Sequence, residues 1–504
     1  MTRTFNLAKA DFNRIAKPGL VVPIFLNISV GNESPVDIYE KVSENRQGTF
    51  LLESAEQGVW SQFSFIGVSS RASFIQNDTE LMVSRPDFAL PNGSKLPIDA
   101  FEAIKLVQSS WTILEQPNLP PLTSGLVGLF SWDVIRQIEH LPIVPMKDYE
   151  HPNIHLEMVQ EIIVMDHKTN RLMLVSNIYC DHNLDNDAAY DLAIQRIDEL
   201  LELLAEPMKF VSAVSGNDEP ALLSHKTPKD DFMTAIAKAK EYVRIGDVFQ
   251  VVISQRFDVE VKVRPIDVYR ALRQLNPSPY MYLLNYEDKN GPYSVVGSSP
   301  EALVKVTGTE VVMHPIAGSR PRSMNHAEDE ALAQSLLADA KERAEHLMLV
   351  DLARNDLLKV CEPSSVTVTQ FMKIEKFSHI MHLVSTVEGS LLSDKSAIDV
   401  FTATFPAGTL SGAPKPRALE IIDELEPANR GIFGGVVGYF DFAGNADLAI
   451  SIRTAFIREG IARVQAGAGI VLDSVPESEY QETVNKTGAV IEAISQANSL
   501  FGAE

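Results

Sequence analysis

The sequence predicts a mixed α/β protein with a largely antiparallel sheet, on three observations. Val436–Phe442, Leu448–Ile457 and Ile461–Gln465 read as consecutive strands, turned at Ala443-Gly444-Asn445 and Arg458-Glu459-Gly460. Helical and strand patterns elsewhere alternate without a regular βαβ period. The composition also breaks between Ala205 and Lys229, where Pro, Gly, Ser and charge replace the Leu-rich helical stretch Ile194–Leu204. Before that break, Gly48–Glu53, Ser61–Val68, Leu126–Phe130 and Ile162–Met165 are predicted strands, and Asp37–Asn45 and Ala188–Leu204 predicted helices. After it, a helix starts near Asp230, and a long helical pattern runs from about Glu328 to Lys359.

The 504 residues include 44 basic and 67 acidic side chains, a formal charge of −23. That length suggests about three domains or two large ones. Apolar residues at 45% and charged ones at 22% are globular values, which argues against a disordered chain. The acidic balance argues against nucleic-acid binding, because phosphate neutralisation needs a basic surface. An anionic small substrate would need a local pocket of Arg, Lys or metal ion against the net field. Cys180 and Cys361 are too few for a disulfide framework or a Cys-ligated zinc site. Met1–Pro18 lacks the apolar stretch of a signal peptide, and Leu20–Leu26 is broken by Pro23 and too short to span a bilayer. A cytoplasmic location with no membrane association is the expectation.

Several segments carry candidate chemistry. Glu342 and Glu345 in "KERAEH", and Glu479 and Glu482 in "PESEYQET", share an i,i+3 spacing that puts each pair on one helix face. Ser474 with Glu477 reads as a capping box, with Pro476 in the first turn. Two such helices facing each other would offer oxygen ligands to Mg²⁺; either pair alone reads as a solvated face. "FPAGTLSGAPKPRALEIIDEL" passes from a Gly-rich loop into an amphipathic helix, with Ser411 a plausible cap, but contains no P-loop pattern. Gly467-Ala468-Gly469 follows a strand without the third glycine of a dinucleotide fingerprint. His379 and His382 alternate with apolar residues, and no HExxH or nucleophile-elbow pattern stands out.

Taken in order, "GDVFQVVISQRF", "NPSPYMY", "VGSSPE", "PIAGSRPR", "KERAEHLMLVDLARND", "HIMHLVSTVEG", "FPAGTLSGAPKPRA", "GIFGGVVGYF", "QAGAGIV" and "ESEYQETVNK" resemble the chorismate-utilising enzymes, most closely the component I (large) subunits of anthranilate synthases. "LLESAE" and "FSFIG" resemble the regulatory part of the same subunits. The resemblance implies their fold, a layered sandwich of antiparallel sheets with helices in two intertwined domains. Residues 1–210 would form the regulatory domain and 225–504 the chorismate-binding catalytic one.

On that resemblance Glu345 and Glu482 are the Mg²⁺ ligands, supported by Glu342 and Glu479. Arg453, Lys486 and the backbone of Gly467, Ala468 and Gly469 would hold the enolpyruvyl carboxylate. Glu301 matches the general acid for loss of the C4 hydroxyl, and His382 the histidine of the pyruvate-eliminating half-reaction. Thr409 and Ser319 would hydrogen-bond the ring substituents, beside Ala317 and Gly318. Gln250 stands where water-activating family members carry lysine, and Ala317 where aminodeoxychorismate synthases carry a nucleophilic lysine. Gln cannot take a proton from water and Ala offers no nucleophile, so ammonia addition is favoured. The family's threonine is Ser319 here, and its tyrosine is Phe433, which loses a phenolic hydrogen bond to substrate.

No glutamine amidotransferase segment is evident, so the resemblance implies a separate amidotransferase subunit (component II) and a heterotetramer of two large and two small subunits. Leu52, Glu53 and Ser54, with Asn276, Pro279, Tyr280 and Met281, resemble the tryptophan feedback site. Two alternatives remain open: an aminodeoxyisochorismate synthase that stops before pyruvate loss, and a non-catalytic tryptophan-binding subunit.

Overall fold

The computed structural model describes residues 4–54, 62–85, 88–117, 119–207, 222–376 and 380–501. Two bent strands organise it. Phe63–Gln76 and Ile154–Asp166 pair along nearly their whole length, and register shifts between Gly67 and Ala72 bend the pair. One half of Ile154–Asp166 continues into Arg171–Tyr179, the other into Gly125–Phe130. Two sheets therefore diverge from one shared pair.

The first sheet runs from Thr49–Glu53 through Tyr280–Asp288, Gly291–Ser299, Thr454–Arg458 and Ile461–Ile470 to Gln250–Glu260. The second runs from Gly125–Phe130 through Val436–Asp441, Ala446–Ile450, Ala302–Thr307 and Glu310–Met313 to Ile380–Ser390. Among the described residues every ladder is antiparallel except the two-residue one between Leu20–Val21 and Thr112–Ile113.

Period-two alternation assigns the faces. Phe50, Tyr282, Leu284, Val295 and Phe456 of the first sheet meet Val127, Leu129 and Val437 of the second in the inter-sheet core. Their neighbours Leu51, Leu283, Val296 and Ala455 turn outward beneath the helices Pro35–Ser43, Asn186–Ala205, Pro265–Leu275 and Pro476–Phe501. On the far face of the second sheet, Leu126, Phe130, Val304 and Phe440 pack under Ala100–Ser110 and Ala397–Thr404. The predicted mixed fold with a large antiparallel sheet is what the chain adopts. Two ladders, Leu52 against Tyr282 and Gly128 against Gly438, cross the predicted boundary at 205–229 and join the two halves.

Several local expectations needed correction. Leu448–Ile457 is not one strand: it breaks at Ser451–Arg453, where Arg453 takes a left-handed φ of 49°. The helical pattern 328–359 is two helices, His326–Ala338 and Ala340–Leu357, parted at Asp339, whose extended backbone lets its carboxylate cap the second. Ser411 does not cap the helix Lys415–Leu425, which begins after Pro414. Ser474 Oγ accepts the Val471 N–H at 3.1 Å instead of forming the box with Glu477.

Candidate active site

The site lies where the strands of both sheets end against the helices Ala340–Leu357 and Pro476–Phe501. After Gly291–Ser299 the chain turns at Pro300; Ser299 Oγ accepts the Glu301 N–H at 3.4 Å, and the Glu301 carbonyl accepts the Ile450 N–H at 3.0 Å. Thr409 Oγ1 donates to the Glu301 carboxylate at 3.1 Å. Thr409 sits in the turn Gly408–Leu410, which presses on the helix so closely that a Cβ on Gly408 would lie 2.2 Å from Leu352 Cδ2. Burial pushes the Glu301 carboxyl up to about 7, against the opposing pull of Thr409, Lys486 and Arg453. An acid poised near neutrality suits proton donation to a leaving group.

His382 lies on Ile380–Ser390. Its neighbour strand Ile316–Pro321 pairs Ala317 with Leu383 and Ser319 with His382, so Gly318 is an inserted bulge residue with φ of +68°. The bulge aims the Gly318 carbonyl at His382 Nδ1, 2.9 Å away. A carbonyl only accepts, so Nδ1 carries the proton and the neutral ring keeps its lone pair on Nε2. Burial lowers the His382 pKa, the Gly318 bond raises it, and the Arg453 charge lowers it. A Cβ at Gly318 would sit 2.8 Å from Glu342 Oε2, so the bulge also touches the carboxylate helix.

The two helices bring the four glutamates toward one another. Burial raises the Glu345 pKa; a 3.3 Å bond from Gln250 Nε2 lowers it, and the charges of Glu342 and Glu482 raise it. Burial raises Glu479 as well, with Ser474 opposing and Glu482 adding to it. Lys486 Nζ is 2.7 Å from Glu482, and Arg320 Nη1 3.3 Å from Glu342. Among the described residues no three His, Cys, Asp or Glu groups form a ready-made metal cluster. The donors nonetheless fit Mg²⁺, which takes oxygen ligands and uses one or two carboxylates plus waters. Glu345 and Glu482 could supply those two, and a cation between them would relieve the like-charge repulsion just described.

Arg453 owes its position to the break between strands; its carbonyl accepts the Ser298 N–H at 3.2 Å, and its charge reaches both Glu301 and His382. Gly467, Ala468 and Gly469 lie within the strand Ile461–Ile470, not after it. That strand pairs with Gln250–Glu260 throughout but with Thr454–Arg458 only as far as Val464, so among the described residues its last residues have no strand on that side. Lys486 Nζ donates to the Gly467 carbonyl at 2.9 Å. At Gly469 a Cβ would fall 2.3 Å from Gln250 Nε2, so the glycine makes room for that amide. Ala468 points its methyl into the core and offers the site only backbone.

Glu301, Thr409, Arg453, His382, Gly318, Glu342, Glu345, Gln250, Gly469, Glu482, Lys486 and Gly467 thus form one connected arrangement, with Ala317 and Ser319 flanking the bulge. Phe433 stands apart: its ring is almost fully buried, with the Arg430 guanidinium 5.6 Å from its centroid. His379 lies outside the described residues, as do Ala55 and Glu56. Two charged residues the sequence reading passed over belong here. Arg320 ties Asp339 to Glu342, and the Lys341 charge acts on both Glu345 and Glu479. Their signal was Lys341 beside the acidic pair in "KERAEH" and the arginine next to Ser319 in "PIAGSRPR".

The second predicted set gathers at the first ladder between the halves. Glu53 faces Met281 and Leu52 faces Tyr282 across it. The Glu53 carboxylate accepts from Tyr269 Oη and Arg273 Nε, both at 2.6 Å. Asn276 Nδ2 donates to Ser298 Oγ at 3.3 Å, and Tyr280 Oη to Asp447 at 2.9 Å. Ser54 and Pro279, both partly buried, lie beyond the same end of this ladder, where Glu53 faces Met281.

Fold and site together mark a chorismate-handling protein: the chain belongs to the chorismate binding enzyme family, whose model matches residues 47–492 and so includes every site residue above. Within it, the chain is 48% identical over 502 residues to anthranilate synthase component 1 of Arthrobacter globiformis, spanning 97% of this chain and 93% of the relative. It is 44% identical to that of Mycobacterium tuberculosis, spanning 98% and 96%. Anthranilate synthase component I from Streptococcus pneumoniae superposes with a TM-score of 0.75 at 33% identity, over 92% of this chain and 99% of that one. The menaquinone-specific isochorismate synthase of Escherichia coli, at 17% identity, has the same fold with a TM-score of 0.70 over 95% of each chain.

Proposed function

We propose that this chain converts chorismate and ammonia to anthranilate and pyruvate, a carbon–oxygen lyase reaction. The observation that carries the reading is the buried Glu301, poised near neutrality and facing Arg453 and Lys486, with Gln250 and Ala317 where a lysine would direct other chemistry. Glu301 gives its proton to the C4 hydroxyl, which leaves as water while ammonia adds at C2. Arg453 and Lys486 hold the enolpyruvyl carboxylate. His382, neutral with Nε2 as the basic nitrogen, then moves the proton needed for pyruvate loss and aromatisation. Glu345 and Glu482 would hold Mg²⁺, which when bound would supply positive charge for the ring carboxylate.

Ammonia reaches the site from a separate glutamine amidotransferase subunit, in an assembly of two large and two small chains, and free ammonia replaces it in vitro. Tryptophan inhibits by occupying the edge formed by Leu52–Ser54 and Asn276–Met281, as part of the first committed step of its own synthesis. The setting proposed for this reaction is the cytoplasm; no helix among the described residues is long and apolar enough to cross a membrane.

The test is product identification. The purified chain with chorismate, Mg²⁺ and ammonium at alkaline pH develops anthranilate fluorescence. Conversion of chorismate to a non-fluorescent amino-cyclohexadiene replaces this reading with an aminodeoxyisochorismate synthase. Saturable tryptophan binding without turnover replaces it with a regulatory subunit.

A further inference from the structure

Besides the two ladders, the N-terminal half grips one loop next to the site, residues 429–435. Asp133, in the turn Trp132–Gln137, accepts the Asn429 Nδ2–H at 3.0 Å and the Gly431 N–H at 3.2 Å through one carboxylate oxygen. Trp132 N–H donates to the Gly431 carbonyl at 2.7 Å. Tyr149 Oη accepts the Ile432 N–H at 3.2 Å and donates to the Arg430 carbonyl at 3.4 Å. His151 accepts the second Asn429 amide proton at 3.2 Å. The fit leaves no slack: Gly431 has φ of +60°, and a Cβ there would lie 2.0 Å from Tyr149 Oη.

The far end of the same loop is bonded to the segment that carries Arg453. Gly434 N–H donates to the Ser451 carbonyl at 2.9 Å, and Ser451 N–H returns to the Gly435 carbonyl at 2.8 Å. Ser451 opens the three-residue break that puts Arg453 into its left-handed conformation. The strand before the break, Ala446–Ile450, is clamped by ladders on both sides, whereas the Ser451 N–H and carbonyl are both taken by this pair of bonds to the loop. We propose that Asp133 is a positioning residue of the N-terminal half, which fixes Arg453 for the substrate carboxylate through the chain Asp133–Gly431–Gly434–Ser451. The N-terminal half then contributes to substrate binding as well as to regulation.

The inference rests on reading Arg453 as a carboxylate ligand. An interaction made equally with bound substrate and transition state acts on KM and leaves kcat. Asp133→Ala should therefore raise the KM for chorismate about tenfold, with kcat within about threefold of wild type. The calorimetric Kd for chorismate in the presence of Mg²⁺ should weaken by the same factor. Asp133→Asn, whose amide oxygen still accepts, should recover most of the loss. Tyr149→Phe, which removes the second grip on the loop, should shift KM in the same direction and decides the matter if Asp133→Ala does not fold. Folded variants with wild-type KM and Kd, or a loss confined to kcat, overturn the proposal. The calorimetry needs no turnover, so a wild-type chain that binds chorismate but makes no anthranilate faults the assigned reaction and leaves this contrast readable.

Discussion

Glu301→Gln separates the acid from its shape. Gln is close to isosteric, and its carbonyl oxygen can keep the 3.1 Å bond from Thr409. Only the proton is lost. Lifting the carboxyl from 4.5 to about 7 corresponds to on the order of 3 kcal/mol in favour of the protonated form. About half the sites carry the proton at pH 7, and roughly one in ten at pH 8. Removing a positioned general acid costs about 10²–10⁴-fold in rate. Two readouts follow. With free ammonia held constant, wild-type kcat/KM should fall as pH rises through about 7, and the variant should be slower by that factor with the limb gone. The folded-state pKa is raised, so this group's stabilising contribution is complete below 4.5 and lost as pH rises through about 7. The variant should therefore resist denaturant better than wild type at pH 8.5, by up to about 3 kcal/mol, with the advantage vanishing near pH 4. Full activity in the variant, or equal stability at both pH values, would refute the reasoning.

Glu345→Gln should abolish Mg²⁺-dependent turnover and the heat of Mg²⁺ binding; a normal Mg²⁺ titration removes Glu345 from the ligand set. Gly469→Ala places a methyl group 2.3 Å from Gln250 Nε2. It should cut kcat/KM at least tenfold, while the far-UV spectrum of the strand pair Gln250–Glu260 and Ile461–Ile470 is kept; unimpaired turnover would show that Gln250 does not matter for the reaction. Met281→Thr and Ser54→Ala should raise the tryptophan concentration needed for half inhibition several-fold and spare uninhibited turnover. An equal loss of both would mark these positions as structural.

What the sequence made legible was local. Each glutamate pair could be read because i,i+3 spacing fixes a shared helix face whatever the tertiary context. Strands such as Gly125–Phe130 and Val436–Asp441 could be read because both of their faces are buried, which leaves nearly continuous apolar runs. Positions where distant segments override a local pattern stayed hidden. The run Leu448–Ile457 continues its apolar pattern through Ser451–Arg453, and the break there is held by bonds to Gly434, Gly435 and Ser298, far away in the sequence. Asp339 reads as one more helical residue until its side chain is seen capping the next helix. The bulge at Gly318 is a register shift against a strand more than sixty residues away, and no spacing rule within "PIAGSRPR" encodes it. The hold of Asp133 on Asn429 and Gly431 spans nearly three hundred residues and could not be read from either segment.

The ladder joining Glu53 to Met281 also sets a clock on biosynthesis. Met281 is made roughly 230 residues after Glu53. At roughly 5–20 residues per second, that edge of the emerging chain waits on the order of ten to fifty seconds for its neighbour. The strand Gly125–Phe130 waits longer still for Val436–Asp441. Unpaired, apolar strand edges in a half-made chain are templates for the wrong partner. Yield in cells should therefore respond to translation speed and chaperone supply more steeply than the stability of the finished protein would suggest.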